Sequence, residues 1–414
     1  MTRSPGRIVG IALGALAILF IGVYGPAMLL GPLPAVAVEP ASAGATAPAT
    51  SPVTLPAEGA SALAAVTVDG ETELIATGGS TDVVPIGGAA KLVTLLATLD
   101  SLPLAAGSDG PSIRIGPDDY TDYLRYQSEG SRALQVSPGE NWTQRDVIRA
   151  VLMASSNNHA DTLARWAFGS VDQYVAGANE WLAANGFTTL SVADATGLSG
   201  DNVGTAAELA RLAGLAVADP AIAAILAGQS SQGVGARSIL DAISHLSDQG
   251  VRAMTRSFTD QAAITFVYTT EVPSADGSDA VRLVGAMTLM PDYETLDPAV
   301  TAATQSAAAA SNPVEVITAG TAYGTVVSAW GDRADLLAQA TRTSTGWASA
   351  DGEVALEVDP FTTAGSGTAV GRVAVPTPEG ELASPLELSA AISDPGPVWR
   401  LTNPGAIIGE FLAD

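Results

Sequence analysis

The chain has 414 residues, of which 47% are hydrophobic, and a formal net charge of −25. So large an acidic excess repels nucleic acid and anionic lipid head groups, which argues against binding through a basic patch, and no nucleic-acid partner is expected. The sequence contains no cysteine and only two histidines, His159 and His245, so disulfides and thiolate metal sites are excluded and no cofactor is expected.

The N-terminus combines basic residues with a long apolar run. Residues 8–30 contain no charged residue, and a run of this length can cross a bilayer. Arg3 and Arg7 precede it, so the positive-inside rule places residues 1–7 in the cytoplasm and the bulk of the chain outside the cell membrane. A secretory signal cleaved after Ala37 or Ala43 is the alternative, because small residues flank both positions.

The segment that follows the apolar run changes in character twice. Residues 31–58 are rich in Ala, Pro, Thr and Ser and predict a flexible linker. Two strand-like runs about Asp69–Gly70 then predict a β-hairpin. The next stretch, PIGGAAKLVTLLATLD, is a glycine turn leading into an apolar helix, and it holds Lys91, the only lysine of the chain.

A series of helices follows, and strands come after it. Thr143–Asp146 resembles a capping box, and Asn157 or Asn158 is positioned to begin a further helix. The remaining predicted elements are helices over residues 170–185 and 205–217, strands over 262–272 and 280–290 joined by a turn at 276–277, and a helix over 295–310.

This order of elements does not repeat a strand–helix–strand unit. It predicts an α+β domain over residues 59–312, with an antiparallel sheet flanked by helices. From residue 313 the sequence changes to short runs of Val and Thr broken by Gly and Pro. That pattern of composition predicts a separate, small all-β domain over residues 313–414.

Lys91, Ser155 and Asn157 are the residues that could carry chemistry. A lysine-assisted acyl-transfer site needs a hydroxyl nucleophile, a base that takes its proton and donors for the oxyanion. Ser and Asn at a break between two helices also serve as ordinary caps, and an exposed lysine in a first helical turn is common. The residues alone leave both interpretations open.

The order of these residues resembles the low-molecular-mass penicillin-binding proteins, which are serine D-alanyl-D-alanine carboxypeptidases with the motifs Ser-x-x-Lys, Ser-x-Asn and Lys-Thr-Gly. The likeness covers roughly residues 59–414 and rests on four segments: QVSPGENWTQRDVIRAVLMASSNNHADTLARWAFG, LSVADATGLSGDNVGTAAELARLA, GVRAMTRSFTDQAAITFVYTTEV and GPVWRLTNPG. The resemblance implies a fold like that of penicillin-binding proteins and serine β-lactamases, and a role in peptidoglycan metabolism.

Two of the three motifs are altered in this chain. Lys91 matches the lysine of the first motif, but Gly88 stands at the serine position. The second motif is present as Ser155–Asn157, whereas Thr255–Ser257 reads Thr-Arg-Ser where Lys-Thr-Gly is expected. Glycine has no side chain to acylate, so we predict an inactive homologue that binds peptidoglycan stem peptides or envelope proteins.

The resemblance also implies roles for the surrounding groups. The backbone N–H groups of Gly88 and Phe258 correspond to the oxyanion hole, and backbone donors survive side-chain changes. Arg256 either replaces the lost lysine in holding a carboxylate, together with Thr255 and Ser257, or points away from the cleft.

We expect Lys91 to hydrogen-bond the side-chain oxygens of both Ser155 and Asn157, because a buried cation needs acceptors. Two alternatives remain: an active carboxypeptidase that uses Ser155 as its nucleophile, and a structural scaffold whose cleft is closed.

Overall fold

The computed structural model describes residues 5–40, 53–67, 70–228, 238–273, 280–311, 314–344, 354–377 and 380–413. The chain forms two compact units, which we call the central unit, residues 51–312, and the terminal unit, residues 1–50 together with 313–414. Asp69, the predicted turn at 276–277 and residue 313 lie outside the described residues.

The N-terminal part of the terminal unit is a long apolar helix followed by a short strand. The helix comprises α1 (Pro5–Leu19), a π-helical turn (Phe20–Tyr24) and α2 (Gly25–Leu30), and the strand is β1 (Ala37–Pro40). Within the described chain, Val9–Leu30 is long and apolar enough to cross a membrane, as the sequence predicts.

The central unit contains a five-stranded antiparallel sheet. Its strands are β2 (Ala60–Val66), β3 (Thr72–Gly79), β8 (Arg252–Thr259), β9 (Ala263–Val272) and β10 (Val281–Met290), in the order β3-β2-β10-β9-β8. The predicted hairpin is confirmed, because β2 and β3 are antiparallel neighbours. Two short strand pairs accompany the sheet: β4 (Val84–Pro85) with β7 (Val203–Gly204), and β5 (Ser112–Arg114) with β6 (Asn141–Thr143).

Two helices of the central unit begin where the sequence places their caps. Thr143 and Thr205 accept hydrogen bonds from the backbone N–H groups of Asp146 and Glu208, as capping residues do. The helices are α3 (Ala90–Ser101), α4 (Pro117–Ser128), α5 (Gln144–Met153), α6 (Asn157–Phe168), α7 (Val171–Ala184), α8 (Ala206–Ala218), α9 (Pro220–Leu226) and α10 (Tyr293–Ala310).

Helix α3 lies inside the central unit and positions the candidate site. A 3₁₀ turn, Gly87–Ala89, leads into it, and every residue from Ala90 to Leu99 is buried. Its neighbours are α5, α6, α7 and α8, so the helix is surrounded by protein and mostly apolar, as expected of a buried helix. This packing carries Lys91 into the interior. The helices and the antiparallel sheet confirm the predicted α+β fold.

The rest of the terminal unit is mostly β-structure. Its strands are β11 (Val314–Ile317), β12 (Ala322–Val327), β13 (Arg333–Ala338), β14 (Arg342–Ser344), β15 (Ala355–Val358), β16 (Ala369–Thr377) and β17 (Gly380–Leu388). Six strands form one sheet in the order β1-β12-β13-β17-β16-β15, and β11 pairs with β14. Two helices, α11 (Gly396–Thr402) and α12 (Pro404–Ala413), end the described chain.

The predicted linker over residues 31–58 is structured in part. Ala37–Pro40 pairs antiparallel with β12, with Ala37 opposite Val327, and so forms an edge of the six-stranded sheet. Composition misled the prediction here, because a short edge strand needs main-chain pairing rather than a run of large apolar side chains. Residues 41–52 of that range lie outside the described part of the chain.

Candidate binding site around Lys91

A cavity of about 270 Å³ in the central unit brings most of the predicted site residues together. It lies where the start of α3, the break between α5 and α6, and strand β8 meet. Gly88, Lys91, Ser155, Asn157, Ser257 and Phe258 line it, together with Gly130, Ser131, Arg132, Thr196, Gly197, Leu198 and Thr259. Thr255 and Arg256 are not among the lining residues.

The Lys91 ammonium is buried and donates to a backbone carbonyl. Its Nζ lies 2.5 Å from the carbonyl oxygen of Thr196, and 5% of the residue is exposed. Burial lowers the pKa of Lys91 to about 8, although the Asp194 carboxylate opposes that shift. The expected hydrogen bonds to Ser155 and Asn157 are wrong: among the described residues, none joins Lys91 to either side chain, and the ammonium donates to the carbonyl of Thr196 instead.

The loop that supplies this carbonyl is built around Asp194. The Asp194 carboxylate accepts the backbone N–H groups of Thr196 at 2.7 Å, Gly197 at 2.6 Å and Ser199 at 2.7 Å. Gly197 has a φ of +80°, and a Cβ added there would lie 2.0 Å from the carbonyl oxygen of Gly87. Only glycine allows this approach. Asp194 was not among the predicted site residues, although an Asp shortly before a Gly is a local turn signal.

The break between α5 and α6 places the second motif. Ser155 adopts a φ of +51°, a conformation uncommon for a residue with a side chain. Ser155 and Asn157 are both buried. The N–H of Asn157 donates to the carbonyl of Arg132 at 2.9 Å, and the Asn158 side chain both accepts from and donates to the backbone of Leu134 at 3.0 Å. These bonds hold the segment around Arg132 against the start of α6.

Arg132 is a cation of the cavity that the sequence analysis missed. Its Nη1 donates to the carbonyl oxygen of Arg256 at 2.8 Å, across to strand β8. Partial burial, and then the neighbouring Arg256, lower the pKa of Arg132. Nothing in the local sequence marks this arginine, because its place depends on the distant bond from Asn157.

The Arg256 side chain is directed elsewhere. Its Nη2 donates to the carbonyl of Ala242 at 3.0 Å, and its Nη1 lies 3.4 Å from Nδ1 of His245. The other ring nitrogen of His245 lies 2.6 Å from Oδ1 of Asp297. Of the two orientations left open for Arg256, the structure therefore has the one away from the cavity.

Ser257 fills the space beside Gly88. Its Oγ accepts the backbone N–H of Gly88 at 2.9 Å. A Cβ added at Gly88 would lie 2.8 Å from both the Cβ and the Oγ of Ser257, and 3.3 Å from Oγ1 of Thr255. Contacts of 2.8 Å are closer than carbon atoms normally approach. The Gly88 N–H, which was expected to stay available as an oxyanion donor, is thus already hydrogen-bonded within the protein.

Solved structures show the same fold. Penicillin-binding protein 5 from Haemophilus influenzae matches with a TM-score of 0.55 and 16% identity, covering 83% of this chain and 100% of that chain. Penicillin-binding protein 6B from Escherichia coli matches with a TM-score of 0.57 and 15% identity, covering 83% of this chain and 99% of that chain. The D-alanyl-D-alanine carboxypeptidase DacD from Francisella tularensis gives a TM-score of 0.51 and 15% identity over 86% of this chain and 97% of that chain.

The sequence comparison identifies the family. No curated protein matches the sequence. The family model described as D-alanyl-D-alanine carboxypeptidase matches residues 50–274, more than half of the 414 residues. This range contains the cavity and all three motif positions. The chain belongs to the D-alanyl-D-alanine carboxypeptidase family.

Proposed function

We propose that this member of the family has lost hydrolytic and penicillin-acylating activity and acts in the cell envelope by binding. The contact between Ser257 and Gly88 carries the proposal. Gly88 offers no hydroxyl to form an acyl-enzyme. Ser257 fills the space that a side chain at position 88 would need, and its Oγ already accepts the Gly88 N–H. Loss of the nucleophile alone removes a factor on the order of a million in rate in one well-studied serine hydrolase.

The ligand we propose is a peptidoglycan stem peptide, bound by its terminal carboxylate. Lys91 and Arg132 both line the cavity, so its wall carries two cations. Phe258 also lines it and is 66% exposed, which offers an apolar surface to a peptide side chain. A cavity of about 270 Å³ supports binding over a scaffold with a closed cleft. An envelope protein with an exposed carboxylate is the other partner that this chemistry accommodates.

One observation favours a residual enzyme. Ser155 lines the same cavity as Lys91, whose pKa is lowered to about 8, close to that of a working general base. Lys91 nevertheless donates to Thr196 rather than accepting from Ser155. We therefore place activity through Ser155 second to binding.

We further infer that the N-terminal helix is retained as a membrane anchor and that the rest of the chain is extracytoplasmic. Cleavage after Ala43 would remove strand β1, and cleavage after Ala37 would remove Val36, whose N–H donates to the carbonyl of Phe361 at 3.0 Å. The cut after Ala43 would expose the edge of β12, and an open edge strand is prone to aggregation, whereas the cut after Ala37 would shorten β1 by one residue.

Two measurements on the full chain in detergent test this proposal. The first is release of D-alanine from a peptide ending in D-alanyl-D-alanine, and we expect none above the buffer rate. The second is calorimetric binding of the same peptide and of its C-terminal amide, and we expect the amide to bind more weakly. D-alanine release that Ser155→Ala abolishes would establish the residual enzyme, and equal affinity for the two peptides would refute recognition of the carboxylate.

A further inference from the structure

The central unit has a second pocket, at the other end of strand β8 from the cavity around Lys91. The cavity lies beside Ser257–Thr259 at the end of β8, whereas the second pocket is lined by Arg252 at its start, by residues 269–271 at the end of β9 and by Arg282 at the start of β10. Its volume is about 410 Å³, within the range of roughly 300–1,000 Å³ that is usual for small-molecule sites. The two pockets share no lining residue.

The wall opposite the strands is the corner between helices α8 and α9. The two helices are bent by 88°, and the Asp219 carboxylate caps α9 by accepting the N–H groups of Ala221 and Ile222 at 2.9 Å each. The side chains that this corner contributes to the pocket are all apolar: Val217, Ala223, Leu226 and Ala227. This wall therefore suits the hydrocarbon part of a ligand.

The strand wall is polar, but its hydroxyl groups are already committed. Thr269 donates to the carbonyl of Leu283 at 2.9 Å, and Thr270 donates to the carbonyl of Gly250 at 3.1 Å. A hydroxyl has a single proton to donate, so neither threonine can donate to a ligand as well. The lining side chains that can donate are therefore the guanidinium groups of this wall.

The Arg252 guanidinium has fewer acceptors than it has donors. Its Nη1 donates to Oδ2 of Asp241 at 2.7 Å, and its Nη2 donates to Sδ of Met153 at 3.3 Å, a weak acceptor. Its Nε is buried and has no hydrogen-bond partner in the part of the chain that the structure describes. Arg252 thus has unused capacity for an anion, which a carboxylate can meet at the two terminal nitrogens.

The second guanidinium of the wall is held loosely. Nη2 of Arg282 lies 3.2 Å from Oε1 of Glu271, and the two side chains are 45% and 61% exposed. An ion pair this exposed contributes little to stability, so Arg282 can exchange Glu271 for a ligand carboxylate at small cost. The lining carries two arginines against one glutamate, although the chain as a whole has a net charge of −25. This local positive excess selects an acidic ligand.

We propose that this pocket binds a small carboxylic acid with an apolar chain. The carboxylate pairs with the guanidinium groups of Arg252 and Arg282, and the apolar chain packs against the corner of α8 and α9. The chain of the ligand supplies the apolar contact, and the two arginines determine which end of it carries the acid. This second site is independent of the ligand proposed for the cavity around Lys91.

Photoaffinity labelling of the full chain in detergent tests this site and locates it. The probe is a hexanoic acid that carries a diazirine near the end of its chain, and labelled peptides are mapped by mass spectrometry. Hexanoate and hexanamide serve as matched competitors, because they differ in the acid group alone. Ala223→Trp fills the pocket from α9, Arg282→Gln removes the exposed guanidinium, and Arg132→Gln alters the other cavity.

We expect the label on residues 217–227 and 269–271, and we expect excess hexanoate to lower it several-fold while hexanamide leaves it unchanged. Ala223→Trp, Arg282→Gln and Arg252→Gln should each lower this labelling several-fold, and Arg132→Gln should not. Arg252→Gln also loses the bond to Asp241, so the other two variants, at partly or fully exposed positions, keep the test independent of its folding.

Three results would overturn the proposal. Equal competition by hexanamide would show that the pocket does not recognise the acid. Labelling confined to the cavity around Lys91 and lost in Arg132→Gln would remove the second site and support carboxylate binding at the first. Labelling that is absent, or spread evenly over the peptides, would show that the pocket is a gap in packing rather than a binding site.

Discussion

Restoring a serine at position 88 should destabilise the protein unless Ser257 is shortened at the same time. In Gly88→Ser the new Cβ would lie 2.8 Å from both the Cβ and the Oγ of Ser257. Forcing extra atoms into a packed site typically costs about 1–3 kcal/mol. Ser257→Gly removes the obstructing atoms, and by itself loses the hydrogen bond to the Gly88 N–H, worth about 0.5–1.5 kcal/mol.

The double mutant should therefore be more stable than the two single changes predict by addition. We expect a favourable coupling of about 0.5–3 kcal/mol, the range seen for residues in direct contact. Urea unfolding of the wild type, both single mutants and the double mutant gives this coupling free energy. Additive effects, or a Gly88→Ser protein as stable as the wild type, would show that Ser257 does not obstruct position 88. We expect neither Gly88→Ser nor the double mutant to regain full carboxypeptidase activity, because the third motif still lacks its lysine.

Three further predictions follow from the cavity. Arg132→Ala should weaken binding of a peptide ending in D-alanyl-D-alanine by about tenfold or more, the effect of one charge-assisted hydrogen bond. The matched Arg256→Ala should change the dissociation constant less than about twofold. Equal losses of affinity in calorimetry would contradict a role for Arg132 in holding the carboxylate. The pKa of Lys91 is lowered from 10.5 to about 8 in the folded protein, so between these pH values the native state binds fewer protons than the unfolded state, and the free energy of unfolding should rise as pH increases from about 8 to 10.5. Lys91→Met should remove that rise in urea unfolding. An unchanged dependence of the unfolding free energy on pH would show that other groups cause it. Asp194→Asn should destabilise the protein more than Lys91→Met or Asn157→Leu, because Asp194 holds the loop whose Thr196 carbonyl accepts from the Lys91 ammonium. Thermal unfolding temperatures in the reverse order would refute this role of Asp194.

The sequence predicts the elements of the central unit well because their signals are local. The caps Thr143 and Thr205 and the apolar helix from Ala90 are each determined by residues a few positions apart. The convergence of Lys91 with Ser155 and Asn157 on one cavity also agrees with expectation. Motif resemblance placed those residues together, although it did not fix their hydrogen bonds.

What the sequence could not predict depends on partners far along the chain. The carbonyl that accepts from Lys91 is 105 positions away, at Thr196. The Gly88 and Ser257 changes are both visible in the sequence, but their contact joins residues 169 positions apart. It follows from how strand β8 lies beside the turn before α3.

Intact-protein mass spectrometry after treatment with benzylpenicillin tests the loss of covalent chemistry most directly. A β-lactam ring opens onto an enzyme only when a nucleophile attacks it, so an acyl adduct would add the full mass of the antibiotic. Gly88 stands where the family has its nucleophilic serine, and the Gly88 N–H donates to Ser257, so we predict that the mass of the full chain stays unchanged. A stoichiometric adduct, mapped by peptide fragmentation to Ser155, would contradict the account and show that this chain is an acylating enzyme with a displaced nucleophile.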